Sequence, residues 1–249
     1  MSLQGEIALV TGGSRGIGRA CALALGKAGA EVIVNYVSSP ERAEEVCAAI
    51  RSVGGKASAL KFNVANPEEI QSALEGLLKE KKKIGIVVNN AGITKDGLMM
   101  RYPTEDWDAV LDTNLRGAFL VSQAVVRSMM KERKGSIINM SSIVGITGNP
   151  GQAAYCAAKA GLIGLTKHLA MVLGGTGVTV NALCPGMFPN TEQNADNASG
   201  LVEGLAQRTP VKRVGNDDDL RAAIVYLASP GSSFYTGQSM VVDGGWTIW

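Results

Sequence analysis

Two side chains in the second half of this sequence are spaced to work together. Tyr155 and Lys159 lie four residues apart in a stretch with helical periodicity, so both project from one helix face, a turn apart. A phenol ordinarily loses its proton at about pH 10. A neighbouring ammonium favours the phenolate and lowers that value, which makes Tyr155 a usable acid or base near neutral pH. Ser142 lies thirteen residues earlier, just past an apolar strand, where a hydroxyl can hydrogen-bond a substrate carbonyl oxygen. Taken alone, Tyr-x-x-x-Lys reads equally as a packing tyrosine beside a surface lysine. Only company from the rest of the chain raises it to a chemical site.

That company starts near the N-terminus. Thr11-Gly12-Gly13-Ser14-Arg15-Gly16-Ile17-Gly18 follows one apolar run and opens a helical one. Glycines there allow a tight turn and let backbone N–H groups approach a pyrophosphate seated on the positive end of the helix. The strand–turn–helix context is what separates such a motif from a merely structural glycine turn. About 20 residues on, where a carboxylate would grip the ribose 2′-hydroxyl of NAD, the sequence has Asn35-Tyr36-Val37-Ser38-Ser39. No acid is present to repel a 2′-phosphate. Arg15 either supplies the compensating charge or is simply solvated; the first alternative predicts NADP(H).

The elements that must position these groups alternate. Strands are expected at Ile7–Val10, Val32–Val34, Ala59–Phe62, Ile84–Val88, Ser136–Met140, Val178–Leu183 and Ser239–Val242. Helices are expected at Gly16–Ala28, Glu41–Val53, Pro67–Lys79, Asp106–Met130, Gln152–Leu173 and Asp219–Ala228. Short strands apolar on both faces, separated by amphipathic helices, predict an α/β fold with a Rossmann-type, doubly wound, parallel seven-stranded sheet. The 249 residues fit one domain, with no repeat or linker. The polar stretch 187–210 breaks the rhythm and predicts a lid over a site.

Composition removes whole classes. A net charge of +2 does not advertise nucleic acid. Cys21, Cys47, Cys156 and Cys184 form no C-x-x-C pair and have no histidine cluster beside them, which predicts free thiols in a reducing compartment and no metal site. The one histidine, His168, leaves no Ser-His-Asp triad of the usual kind. No signal peptide and no membrane span are expected, and the protein is read as cytoplasmic.

With these motifs in order, the chain resembles the short-chain dehydrogenase/reductase family from end to end. Thr11-Gly12-x-x-x-Gly16-x-Gly18 is similar to its cofactor motif, Asn89-Asn90-Ala91-Gly92 to its sheet-stabilising motif, and Pro185-Gly186 to its turn against the nicotinamide. Asn114, Ser142, Tyr155 and Lys159 match its catalytic tetrad. The resemblance implies hydride delivery to a carbonyl carbon while Tyr155 protonates the oxygen and Ser142 steadies it. Lys159 would hold the nicotinamide ribose and lower the Tyr155 pKa, with Asn114 positioning a relay water. It adds Ser38, Asn63, Val64 and Phe188 to the cofactor contacts, with Gly12, Ser14, Arg15, Ile17, Asn35, Asn90, Ala91 and Gly92.

Within the family, 92–101, 135–139 and 148–155 resemble the 3-oxoacyl-acyl-carrier-protein reductases. That branch implies an acidic carrier docking on Arg133, and a homotetramer built on Asp106–Met130, Gln152–Leu173 and the last strand. Thr176 replaces a second docking arginine, Asn190 and Thr191 stand where a carboxamide-contacting threonine is usual, and Gly85 replaces an aspartate. The tail, with Trp246 and Trp249, resembles sugar or polyol dehydrogenases. Three readings therefore compete: a 3-oxoacyl thioester reductase, the same chemistry on a sugar, polyol or other ketone, and a non-catalytic NADP(H)-binding scaffold.

Overall fold

The computed structural model describes residues 1–188 and 199–248. Seven strands form one all-parallel sheet: β1 (Ile7–Val10), β2 (Glu31–Tyr36), β3 (Lys56–Lys61), β4 (Ile86–Asn89), β5 (Gly135–Met140), β6 (Val178–Pro185) and β7 (Ser239–Val242). Their order is β3-β2-β1-β4-β5-β6-β7, and registers such as Leu9 opposite Ile33 on one side and Val87 on the other align the strand ends. The seven-stranded doubly wound sheet is as the sequence predicts. β2 and β5 begin one residue earlier than expected and the edge strand β3 three, at Lys56, with half-exposed alternation in place of an apolar run.

Because side chains alternate across a strand, each central strand feeds two cores. Ala8, Val10, Val32, Val34, Ile86, Val88 and Ile138 face one side. There they meet α1 (Gly16–Lys27) through Leu25, α2 (Pro40–Ser52) through Val46 and Ile50, and α9 (Asp217–Ala228) through Ile224. Ile7, Leu9, Ile33, Val87 and Ile137 face the other side, against Leu74 of α3 (Pro67–Lys81), Val121 and Val125 of α5 (Gly117–Glu132), and Leu173 of α7 (Ala153–Leu173). Each such side chain taken fully from water contributes roughly 1.5–3 kcal/mol, so both faces hold the sheet rigidly beneath the loops at its carboxyl edge.

Local signals set the helix ends. Asn66 accepts the N–H groups of Glu68 and Glu69 at the start of α3, and Asn216 forms a capping box with Asp219 at the start of α9. The helix expected over Asp106–Met130 is instead α4 (Thr104–Leu111), a π-helical turn at Asp112–Arg116, and α5. Two further helices, α6 (Val144–Thr147) and α8 (Ser199–Gln207), are additions to the sequence reading. The stretch Ala153–Thr176, which includes α7, is long and apolar enough by composition to cross a membrane, contrary to the expectation that no segment would be. In the fold it lies along β5 and β6 and carries Tyr155 and Lys159. Of the expected lid over 187–210, residues 189–198, with Asn190 and Thr191, lie outside those described, as does Trp249, and α8 takes up much of the remainder.

Two departures have structural reasons. A Cβ on Gly85 would stand 2.3 Å from Oε2 of Glu6, so Glu6 already fills the place of a side chain there. Trp246 of the tail lies under the Arg208 guanidinium, 4.8 Å from ring centroid to Cζ, and Gly244 and Gly245 abut Val211 and Pro210. The tail is thereby fastened to the segment that follows α8.

Candidate active site

The carboxyl ends of β1, β4, β5 and β6 converge on one cleft of about 710 Å³. The order of strand addition reverses between β1 and β4, so the crevice opens at the switch point, where ligands bind in open α/β sheets.

On one wall the loop after β1 turns into α1. Gly12 (φ +61°) and Gly16 (φ +51°) take backbone conformations that L side chains rarely adopt. A Cβ on Gly18 would fall 2.2 Å from the Gly12 carbonyl oxygen, which fixes glycine at the first turn of α1. Thr11 Oγ1 accepts the N–H groups of Asn90 and Ala91 at 2.9 and 3.0 Å. Asn90 Nδ2 donates to the carbonyls of Thr11 and Gly12. The result is a rigid cradle at the start of α1, where the helix dipole suits a pyrophosphate. Ser14, Arg15, Ile17, Ser38, Asn63, Val64, Ala91, Gly92, Pro185, Gly186 and Phe188 join these glycines on the cleft wall.

Asn35 does not. It is 1 % exposed, its Oδ1 accepts the Gly12 N–H at 3.0 Å and its Nδ2 donates to the Phe62 carbonyl at 2.9 Å. It holds the glycine loop from behind, and Tyr36, Val37 and Ser39 line the wall there instead.

The opposite wall carries the chemistry. Ser142 follows β5, and Tyr155 and Lys159 rise from one face of α7. Ser141 Oγ donates to the Lys159 carbonyl at 2.7 Å, tying α7 to the end of β5. Tyr155 and Ser142 share a hydrogen bond between hydroxyls. Lys159 is buried, donates from Nζ to the Met140 carbonyl at 2.7 Å and sits 5.3 Å from the Tyr155 ring centroid. Burial draws its ammonium down to about pKa 8.

The Tyr155 phenol moves opposite to expectation: burial pushes it up to about 12, with the Cys156 thiol adding to the push and the Ser142 hydrogen bond opposing it. Desolvation therefore outweighs the Ser142 hydrogen bond, and Tyr155 is a phenol at neutral pH.

Asn114 lies within the π-turn and is 1 % exposed. Its Oδ1 accepts the Ile93 N–H at 2.8 Å and its Nδ2 donates to the Ile93 carbonyl at 2.9 Å, so it fixes the loop after β4 that borders the cleft. A π-turn at a functional position is a common device for aiming one side chain. Asp96, Asn149 and Gln152 also line the cleft. His168 is exposed, as are Met99 and Met100.

A phosphate cradle facing a Ser–Tyr–Lys wall is matched by comparison with known proteins. Residues 12–247 match the family described as enoyl-(acyl carrier protein) reductase. A 3-oxoacyl-[acyl-carrier-protein] reductase of Synechocystis is 46 % identical over 98 % of both chains. One from Staphylococcus epidermidis is 44 % identical over 96 % of this chain and 97 % of its own. Among solved structures, a gluconate 5-dehydrogenase from Burkholderia cenocepacia in complex with NADP and tartrate superposes with a TM-score of 0.93 at 34 % identity, covering 100 % of this chain and 97 % of that one. A putative gluconate dehydrogenase from Agrobacterium tumefaciens gives 0.93 at 36 %, covering 98 % and 97 %.

The chain belongs to the short-chain dehydrogenase/reductase family. As a short-chain dehydrogenase/reductase it is an oxidoreductase of CH–OH and C=O groups that uses a nicotinamide cofactor. The cleft fits that group: at Gly18 it leaves no room for a side chain, as a pyrophosphate approached by backbone would require, and the Pro185-Gly186 turn, packed on Asp243, would border a nicotinamide at the other end.

Proposed function

We propose that this enzyme reduces the 3-oxo group of an acyl thioester borne on acyl carrier protein, in the cytoplasm, with NADPH as reductant. The observation that carries the reading is the hydroxyl pair of Tyr155 and Ser142 at the cleft floor, in a chain 44–46 % identical to 3-oxoacyl reductases. Two hydroxyls converging on one point suit a carbonyl oxygen.

The bound cofactor supplies the hydride. Ser142 donates a hydrogen bond to the substrate oxygen and orients the carbonyl. Tyr155, held as a phenol by burial, donates its proton to that oxygen as charge develops on it. Below about pH 8 the Lys159 ammonium stabilises the phenolate left behind. Asn114 keeps Ile93 and the adjoining wall in place. Preference for NADPH rests on Arg15, Ser38 and Ser39 around a β2 end that carries no carboxylate.

We further assign Arg133 as a docking point for the acidic carrier. It caps α5 with φ +50°, and its guanidinium donates to the Gly175 carbonyl at 3.2 Å. It stands at the amino end of β5, whose six residues put it roughly 20 Å from Ser142. The apolar groove of about 410 Å³ between Leu111, Leu115, Phe119 and Leu165 supports pairing of copies through α5 and α7 into a homotetramer.

The structural kinship with gluconate dehydrogenases favours a second reading, oxidation of a sugar acid. Initial rates separate them: acetoacetyl thioester with NADPH or NADH, and gluconate with NADP. Fast, NADPH-specific thioester reduction is expected. A silent thioester with active gluconate would overturn the proposal.

A further inference from the structure

On the cleft wall beside Tyr155, three side chains from two loops and the start of α7 form a hydrogen-bonded chain. Gln152 Nε2 donates to both carboxylate oxygens of Asp96 at 3.2 Å. Asn149 Nδ2 donates to Gln152 Oε1 at 3.0 Å. All three residues line the cleft.

A primary amide can face either way, presenting its oxygen or its nitrogen, but a carboxylate only accepts. Asp96 therefore imposes a direction. Gln152 must turn its NH₂ group to Asp96, which leaves Oε1 to face Asn149, which must in turn spend an N–H there. The terminal atom of the chain is then fixed as Asn149 Oδ1, an acceptor. Without the carboxylate both amides could reverse together, and the terminal atom would be a donor half the time.

We propose that Asn149 Oδ1, held outward by Asp96 through Gln152, is the recognition point for a hydrogen-bond donor in the substrate's carrier arm, namely an amide N–H beyond the thioester sulfur. Asn149 contacts the substrate; Asp96 and Gln152 are positioning residues. The inference rests on the thioester reading and adds to it: the enzyme reads the arm that bears the acyl group as well as the 3-oxo carbonyl. The Coulombic effect of Asp96 on Tyr155 acts on any 3-oxo substrate alike and cancels from a ratio of two substrates.

The test is a single-atom change in the substrate. Acetoacetyl-N-acetylcysteamine carries an amide N–H two carbons from sulfur; the acetoxyethyl thioester replaces that N–H by an ester oxygen and leaves the reacting end unchanged. The enzyme should favour the amide in kcat/KM by roughly five-fold or more, the worth of one neutral hydrogen bond. Asn149→Leu should abolish that preference. Asp96→Asn should reduce it only about two-fold, because half the population still presents the acceptor. Circular dichroism and NADPH titration establish that each variant folds. Equal rates for the two thioesters in the parent enzyme, or variants that slow both equally, would overturn the inference while leaving thioester reduction standing. Failure to reduce either thioester would overturn the functional reading and this inference with it.

Discussion

Lys159 makes the stability of this enzyme rise with pH over a range in which most proteins lose it. Burial lowers its pKa from 10.5 to about 8. Below pH 8 the amine is protonated in both folded and unfolded chains, and the folded state carries the whole cost of a buried charge, on the order of 3 kcal/mol. Between pH 8 and 10.5 the folded lysine has shed its proton while the unfolded one keeps it. The unfolded state then binds more protons, so stability climbs with pH. By pH 9.5 roughly 2 kcal/mol of the cost is relieved. Tyr155 works in the other sense: its pKa is raised from 10.0 to about 12, so its stabilising share is lost only above pH 10. Burial also raises the Cys21, Cys47 and Cys184 thiols from 9.0, so they lose stability in the upper part of the window from pH 7 to 9.5, and the lysine is read from a difference between parent and variant. The perturbation is Lys159→Met, an uncharged side chain of similar length. Urea unfolding of the cofactor-free parent and variant, at equal protein concentration, gives the stability difference at each pH. That difference should shift by about 2 kcal/mol in favour of the parent across the window. A difference that stays flat would refute the burial argument and the acid–base poise built on it.

Two further outcomes follow from the site. Tyr155→Phe removes the proton donor and leaves the cradle untouched, so kcat should fall by about 10²–10⁴-fold while the NADPH dissociation constant, read by fluorescence titration, stays within about two-fold; retained turnover would remove Tyr155 from the chemistry. Arg133→Glu should raise KM for a carrier-protein-bound substrate several-fold, more so at low salt, and spare acetoacetyl-N-acetylcysteamine; an equal change for both would place the effect on folding of the α5 end.

Periodicity made most of the fold legible. Ile7–Val10 is the strand the apolar pattern draws, because a central strand buried on both faces leaves an unbroken run; the half-buried edge strand Ser239–Val242 is marked by its Met-Val-Val run alone. Edge strand β3 is partly exposed, so its first residues, Lys56 to Ser58, carry no such signal. The π-turn at Asp112–Arg116 is invisible for another reason: one extra residue in a turn hardly disturbs a periodicity of 3.6. In the site, Gly12, Gly16 and Gly18 were readable since only glycine fits there. Asn35 was misplaced because a strand end gives the position of a residue but not the direction its side chain takes. Asp96 and Gln152, 56 residues apart, share a hydrogen bond that only the fold brings together. The sign of the Tyr155 shift was out of reach as well, since proximity to Lys159 follows from spacing whereas desolvation depends on everything packed around the ring.

A π-turn amounts to one residue inserted into an α-helix, and removing it would restore ordinary hydrogen bonding between α4 and α5. The helix would be more regular for the loss. Asn114, however, would swing away from Ile93, by about 100° for each residue removed. Stability alone would favour the smoother helix, so the π-turn trades helix regularity for the placement of Asn114 against Ile93.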